Sequence, residues 1–209
     1  AGSSTEVNLM VEGSDIPVVL SDSVDLPSVL DEVYLVGAQT KLEVATSFTI
    51  TTLRSDVGSS VIVTEGATLT IAGVYDIHAG AKCDFVVEAG STLRLLDIDG
   101  GHPWYISGNE PTIDLYGTLN TSRLMIGQRG KLQLHARSHL DVKDLYLQDS
   151  AVVFASSGSV VGLQQFKLRT LSIGPEARLE FDIENVDIDV ENLIMKWDSH
   201  LTTSSSLKY

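Results

Sequence analysis

The chain has 209 residues, is 43% hydrophobic and 6% aromatic, and carries a formal net charge of −14. Its length permits one or two domains with a sizeable core, and its acidity excludes a phosphate backbone as partner, because nucleic acid is met by clustered Lys and Arg. Docking by charge on an anionic membrane is disfavoured for the same reason, and no apolar run reaches the length that inserts directly into a bilayer.

Residues 1–6 open with Ala-Gly-Ser-Ser and read as a cloning scar or linker. With no initiator Met and no signal peptide in view, the chain is expected to be a fragment of a larger protein. From Val7 onward the pattern is short alternating runs of apolar and polar residues, cut by small or turn-forming clusters. Such alternation marks half-buried strands. The stretch around Leu124 to Phe154 shows the unit best: Leu124-Met125-Ile126, then Lys131-Leu132-Gln133-Leu134, then His139-Leu140-Asp141-Val142, then a return to the first run at Leu145-Tyr146-Leu147. Three strands and three corners form one coil, and stacked coils form a solenoid.

Three classes of strand follow from anchoring each run on one inward residue. The first class runs from Met10 through Leu35, Leu53 and Ile126 to Ile173 and Met195. The second runs from Val19 through Leu42, Val61, Phe85 and Leu132 to Val152 and Leu201. The third runs from Leu26 through Phe48, Leu69 and Leu140 to Val160 and Val186. The expected architecture is all-β: a right-handed, three-sided parallel β-helix of about eight to nine coils, forming a single domain over residues 7–209. Irregular coil length argues against a strict hexapeptide helix, and parallel connections prefer the right hand. Helix is nearly absent from the pattern, with short helical turns allowed only at 31–36 and 163–168. Cys83 shares the parity of Phe85 and Val87, so it is expected as a small buried hydrophobe.

Chemistry is sought where loops leave a rigid scaffold. Two long insertions fall between strands of the third and first classes. The one at 96–104 carries Asp97, Asp99, His102 and Trp104, and the one at 162–170 carries Gln164, Phe166 and Arg169. One is acidic and the other basic, which suggests a shared binding patch with Trp104 and Phe166 as anchors. Asp97 and Asp99, on alternate residues, could face one calcium ion, although the remaining ligands of a calcium loop are missing. No other cofactor is implied, and no catalytic residue is assigned. Ile62, Val86 and Val153 fall on the outward face of the second class and form a candidate interface. Asn120-Thr121-Ser122 is a glycosylation sequon, expected at an exposed corner. His135 and His139 are four apart, but across a strand end and a corner, which does not make a metal site.

The coils, with motifs such as Gly130-Lys131-Leu132-Gln133-Leu134, resemble the pectin-lyase-like right-handed β-helix superfamily over almost the whole chain. Many of its members cleave acidic polysaccharides, and the polygalacturonase-like ones use Asp residues on adjacent coils with a Gly-His-Gly motif. Here Asp97, Asp99 and Gly101-His102 echo that set, but Pro103 stands where the second Gly belongs. The resemblance therefore implies a non-catalytic, adhesion- or scaffold-type member: an extracellular or cell-surface module that binds a protein partner or associates with itself. The runner-up is a polysaccharide-binding or polysaccharide-cleaving enzyme centred on Asp97, Asp99 and His102. A third reading is an intracellular scaffold resembling the β-helical domains of bactofilins or tubulin-folding cofactors.

Overall fold

The computed structural model describes residues 7–12, 16–56, 58–64, 66–77, 83–96, 104–106, 110–135, 138–155, 165–181, 187–203 and 207–208. In chain order the strands are β1 (Asn8–Glu12), β2 (Val18–Leu20), β3 (Val29–Val36), β4 (Lys41–Val44), β5 (Phe48–Ser55), β6 (Ser59–Val63), β7 (Thr68–Ile77), β8 (Cys83–Val87), β9 (Thr92–Leu95) and β10 (Trp104–Ile106). They continue with β11 (Thr112–Leu115), β12 (Thr118–Ile126), β13 (Lys131–Leu134), β14 (His139–Leu147), β15 (Val152–Ala155), β16 (Gln165–Ile173), β17 (Arg178–Phe181), β18 (Asp187–Met195), β19 (His200–Thr203) and β20 (Leu207–Lys208). No helix occurs among the described residues.

The strands stack as a parallel β-solenoid with two sheets. The nine-stranded sheet runs β2-β4-β6-β8-β11-β13-β15-β17-β19, and the eleven-stranded sheet runs β1-β3-β5-β7-β9-β12-β14-β16-β18-β20 with β10 beside β12. Two of the nine strands in the short sheet are edges, so seven coils are covered on both sides. That is fewer full turns than the eight to nine expected, which included the end coils.

The first and third strand classes form one continuous ladder rather than separate sheets. In β5, Phe48 and Ile50 are buried, Thr51 and Thr52 are not, and Leu53 and Ser55 are buried again. β12 does the same, with Leu119 and Thr121 buried, Ser122 and Arg123 outward, and Leu124 and Ile126 buried. Two consecutive outward residues reverse the parity, so the strand must bend for both halves to face the core. Pairing continues through the bend, as Glu32 with Thr52 and Arg123 with Asp144 show. Each coil thus turns three inward runs to the core on two hydrogen-bonded sheets.

Tight turns make the other corners. Between the long and short sheets, the N–H of Gly130, Ala151 and Ala177 donates to the carbonyls of Gly127, Gln148 and Gly174 at 3.0, 3.0 and 3.2 Å. The third residue of each turn, Arg129, Ser150 or Glu176, is left-handed with φ of 57, 58 and 56°. The fourth is small because it points inward: Ala151 and Ala177 are fully buried. Gly117, in the short turn from β11 to β12, shows how close the corners pack. A Cβ there would lie 2.3 Å from the carbonyl oxygens of both Glu88 and Ser91.

The core is one continuous set of apolar ladders. In the short sheet, Leu42, Val61, Phe85, Ile113 and Leu132 stack in register, each at 2% exposure or less. Cys83 is buried at the start of its strand, as expected. Several anchors shift by one residue. Val11, not Met10, is inward; Leu20, not Val19; and Val153, not Val152. All three errors fall in unbroken apolar runs, where alternation carries no parity. The segment 31–36, allowed as a helical turn, lies in β3, and of 163–168 the described residues 165–168 lie in β16.

Candidate functional site

The most organised polar cluster lies at the bend of the long sheet. The parity break puts two outward residues on each coil, and pairing places Arg123, Asp144, Thr170 and Asn192 in one ladder. Asp144 is fully buried. Arg169 grips it with both arms of its guanidinium: Nε donates to Oδ1 at 2.9 Å and a terminal nitrogen donates to Oδ2. From the coil on the other side, Arg123 Nε lies 3.5 Å from Oδ2. Burial by itself pushes the Asp144 carboxyl upward. The hydrogen bond and charge of Arg169, a hydrogen bond from Thr170 and the charge of Arg123 together outweigh it, holding the carboxyl below its ordinary range. An ionised carboxylate held by two guanidiniums is committed to binding coils together and is a poor proton donor at neutral pH. Beside it, Lys143, Leu168, Arg169, Asp189 and Glu191 line a cleft of about 280 Å³.

A second cluster sits at the C-terminal ends of β11 and β13, neighbouring inner strands of the short sheet. The His135 ring stacks on Tyr116 with centroids 3.8 Å apart and planes 6° from parallel. His135 Nε2 lies 3.2 Å from Asp114 Oδ1. Tyr116 also closes a cleft of about 390 Å³ with Val86, Glu88 and Ala89. This couples part of the expected apolar interface to an exposed aromatic edge. Ile62 and Val86 are half-buried and adjacent in register on that face. Val153 is not on it: it is fully buried, in register with Leu132. The outward residues of β15 are Val152 and Phe154.

Of the expected loop patch, Trp104, Phe166 and Arg169 fall among the described residues. Trp104 is 1% exposed and belongs to the core, with its indole N–H donating to the Leu96 carbonyl at 2.5 Å. It pairs in register with Leu124. It therefore anchors the return of the chain after the insertion and offers no surface contact. Phe166 and Arg169 lie on strand β16, not on a loop. Val160 and Val186, the last two anchors of the third strand class, lie outside the described residues. Asp97, Asp99, His102 and Gln164 lie outside the described residues, and with them the calcium reading. Among the described residues no group of three or more His, Cys, Asp or Glu is placed to hold a metal ion. His139 is exposed on the next strand, away from the contacts of His135. Asn120 sits within β12 rather than at a corner. It is half-buried, and its amide donates to Asp141 Oδ2 at 2.5 Å.

Two features escaped sequence reasoning. Asp144 was not singled out from the sequence, and its partner Arg169 is one coil away. A charged pair at one coil spacing, inside otherwise apolar runs, was the available signal. The exposed Tyr105, Tyr116 and Trp197 also went unremarked. Comparison with protein-family models, curated proteins and solved structures found no match to the chain. What the sequence and coordinates establish together is a parallel β-solenoid.

Proposed function

We propose that this chain is a non-enzymatic structural and recognition module, a rigid β-solenoid that mediates protein–protein adhesion or self-assembly within a larger cell-surface or secreted protein. On this reading it is a non-catalytic relative of the pectin-lyase-like β-helices. The observation that carries the proposal is where the exposed apolar side chains lie. Met10, Val18, Val19 and Val29 are exposed on the first coils, and Ile194, Met195 and Trp197 on the last. Between them Tyr105 and Tyr116 are exposed, and Ile62, Val86, Val152 and Phe154 face outward half-buried. Exposed apolar clusters on a rigid body mark contact surfaces. The best-organised charged group, Asp144 with its arginines, is spent on internal cohesion.

Incubation with a panel of neutral and acidic polysaccharides tests the non-enzymatic half. The expected result is no new reducing ends or unsaturated products, and reproducible cleavage overturns the reading. Ile62→Lys and Val86→Lys, with mass followed by light scattering in the presence of a candidate partner, test the lateral face. Loss of a complex assigns that face to recognition, and an unchanged complex removes it.

A further inference from the structure

Ile62 and Val86 are neighbouring rungs of one outward ladder, on inner strands of the short sheet. Both are half-buried. Along the ladder the pair is bounded by Glu43 on one side and Asp114 on the other. Along the strands the next outward positions are Ser60 and Thr64 beside Ile62, and Asp84 and Glu88 beside Val86. Four of these six positions around the apolar pair are carboxylates, and none is a cation. Each lies one rung or two residues away, roughly 5 to 7 Å along the backbone. Lys41 and Lys131 stand further out, at the starts of β4 and β13.

Beside the pair, Val86, Glu88, Ala89 and Tyr116 line the cleft of about 390 Å³. Tyr116 is 40% exposed. Its backbone N–H donates to the Val87 carbonyl at 2.8 Å, which seats it one coil beyond Glu88. His135, from the following coil, covers one face of the ring with centroids 3.8 Å apart, and its Nε2 lies 3.2 Å from Asp114 Oδ1. His135 and Asp114 thus position the ring, and its other face is turned to the cleft. A ring face next to a carboxylate, over an apolar floor, suits a long cationic side chain. The methylenes lie on Val86 and Ala89 while the charged head reaches Glu88 and the face of the ring. A planar guanidinium also stacks on the ring, which an ammonium does not.

We propose that this face docks a basic segment of a protein partner, with an arginine seated between Tyr116 and Glu88 and a neighbouring apolar residue laid on Ile62 and Val86. This rests on the proposed reading of the face as a recognition surface and names the chemistry of its partner. A second copy of the chain does not fit. Pairing the face with itself sets Asp84, Glu88 and Asp114 against like charges, and each copy carries a net charge of −14. The same charge draws a basic partner in, and salt screens that attraction.

Fluorescence anisotropy on the intact chain tests the proposal. The probe is a short labelled peptide of alternating arginine and leucine, compared with lysine–leucine and glutamate–leucine peptides of equal length. Saturable binding of the arginine peptide is expected, tighter than that of the lysine peptide and weaker as salt is added, with none for the glutamate peptide. Glu88→Gln and Tyr116→Leu are each expected to weaken it about threefold, the worth of one exposed ion pair or cation–ring contact. Glu180→Gln removes the same charge four rungs from Val86 in the same ladder and is expected to change nothing. Unchanged circular dichroism melts show that each variant keeps its fold. Absence of arginine-peptide binding at low salt overturns the proposal. So does an equal loss for Glu88→Gln and Glu180→Gln, which reduces the attraction to bulk charge. A dimer of the intact chain that Val86→Lys dissolves also overturns it, giving the face to a second copy. None of these outcomes removes the non-enzymatic reading, which only polysaccharide cleavage does. A candidate partner released by Ile62→Lys, with no arginine-peptide binding, keeps the face as a recognition surface and rejects the basic segment.

Discussion

The coil carrying β12 and β13 and the coil carrying β18 and β19 have the same design and different surroundings. In the first, Leu124, Ile126 and Leu132 are at 1% exposure or less. In the last, Leu193 and Leu201 are half-buried and Met195 is 45% exposed. The inward positions and turn geometry are alike: Gly130 N–H bonds the Gly127 carbonyl at 3.0 Å, and Ser199 N–H bonds the Lys196 carbonyl at 3.3 Å. A coil does not bury its own apolar face; the coil on the far side does. Stability in this molecule is therefore a nearest-neighbour property, and the ends are where it runs out.

Substitutions should reveal that gradient. Trp104→Ala removes the largest fully buried side chain from an inner coil and is expected to cost about 4 kcal/mol, as large-to-small core changes do. A urea titration followed by circular dichroism measures it, and a loss below that of an ordinary surface change would contradict the core placement. Gly117→Ala forces a Cβ against two backbone carbonyls and is expected to cost about 3 kcal/mol, with the short turn between β11 and β12 giving way first. Hydrogen exchange at the flanking amides reads this directly.

Asp144→Asn tests cohesion at the bend. It removes the charge from a buried carboxylate while leaving Arg169 partly in water, so the expected loss at neutral pH is about 2 kcal/mol, smaller than for a fully buried pair. The pH dependence has a definite sign. The Asp144 carboxyl is lowered in the folded chain, so its contribution is complete above the ordinary carboxylate pKa of about 4 and is lost as pH falls through the lowered folded value. The difference between the parent chain and Asp144→Asn should stay constant from neutral pH down to about 4 and shrink below it. A difference that grows on acidification would contradict the pairing. Met195→Ala, in the same ladder as buried Ile173 but open to solvent, is expected to cost about 1 kcal/mol or less. A cost equal to that of Ile173→Ala would mean that the last coil is covered after all.

The same contrast explains what could be read from the sequence. Strict alternation, as in Lys131-Leu132-Gln133-Leu134, fixes parity because only one phase puts the polar residues in water. Leu9-Met10-Val11, Val18-Val19-Leu20 and Val152-Val153-Phe154 have no such phase, and there the inward residue was misplaced by one. The bends were visible as polar pairs such as Thr51-Thr52, but sequence does not say whether hydrogen bonding stops there. It continues, and three strand classes become two sheets. The insertion after Leu96 was legible as a break in periodicity. The role of Trp104 was not, since a large aromatic residue at a loop end serves equally well as surface anchor or core plug. Arg169 and Asp144 lie one coil apart, and coil length varies, so their meeting follows only from the register.

Parallel stacking in register underlies the fold, the bend cluster and the end surfaces alike, and a single distance tests it. Lys41 and Arg178 are exposed on the outer face of the short sheet, in one ladder that passes through Ser60, Asp84, Lys131 and Val152. Six rungs separate them, so spin labels at these two positions should report a backbone separation of about 29 Å at the usual strand spacing. Double electron–electron resonance on the doubly labelled Lys41→Cys, Arg178→Cys chain, with buried Cys83 unlabelled, gives that distance. A single narrow population near about 29 Å is the predicted result. A population below about 20 Å, as two strands folded onto one another would give, contradicts the stack.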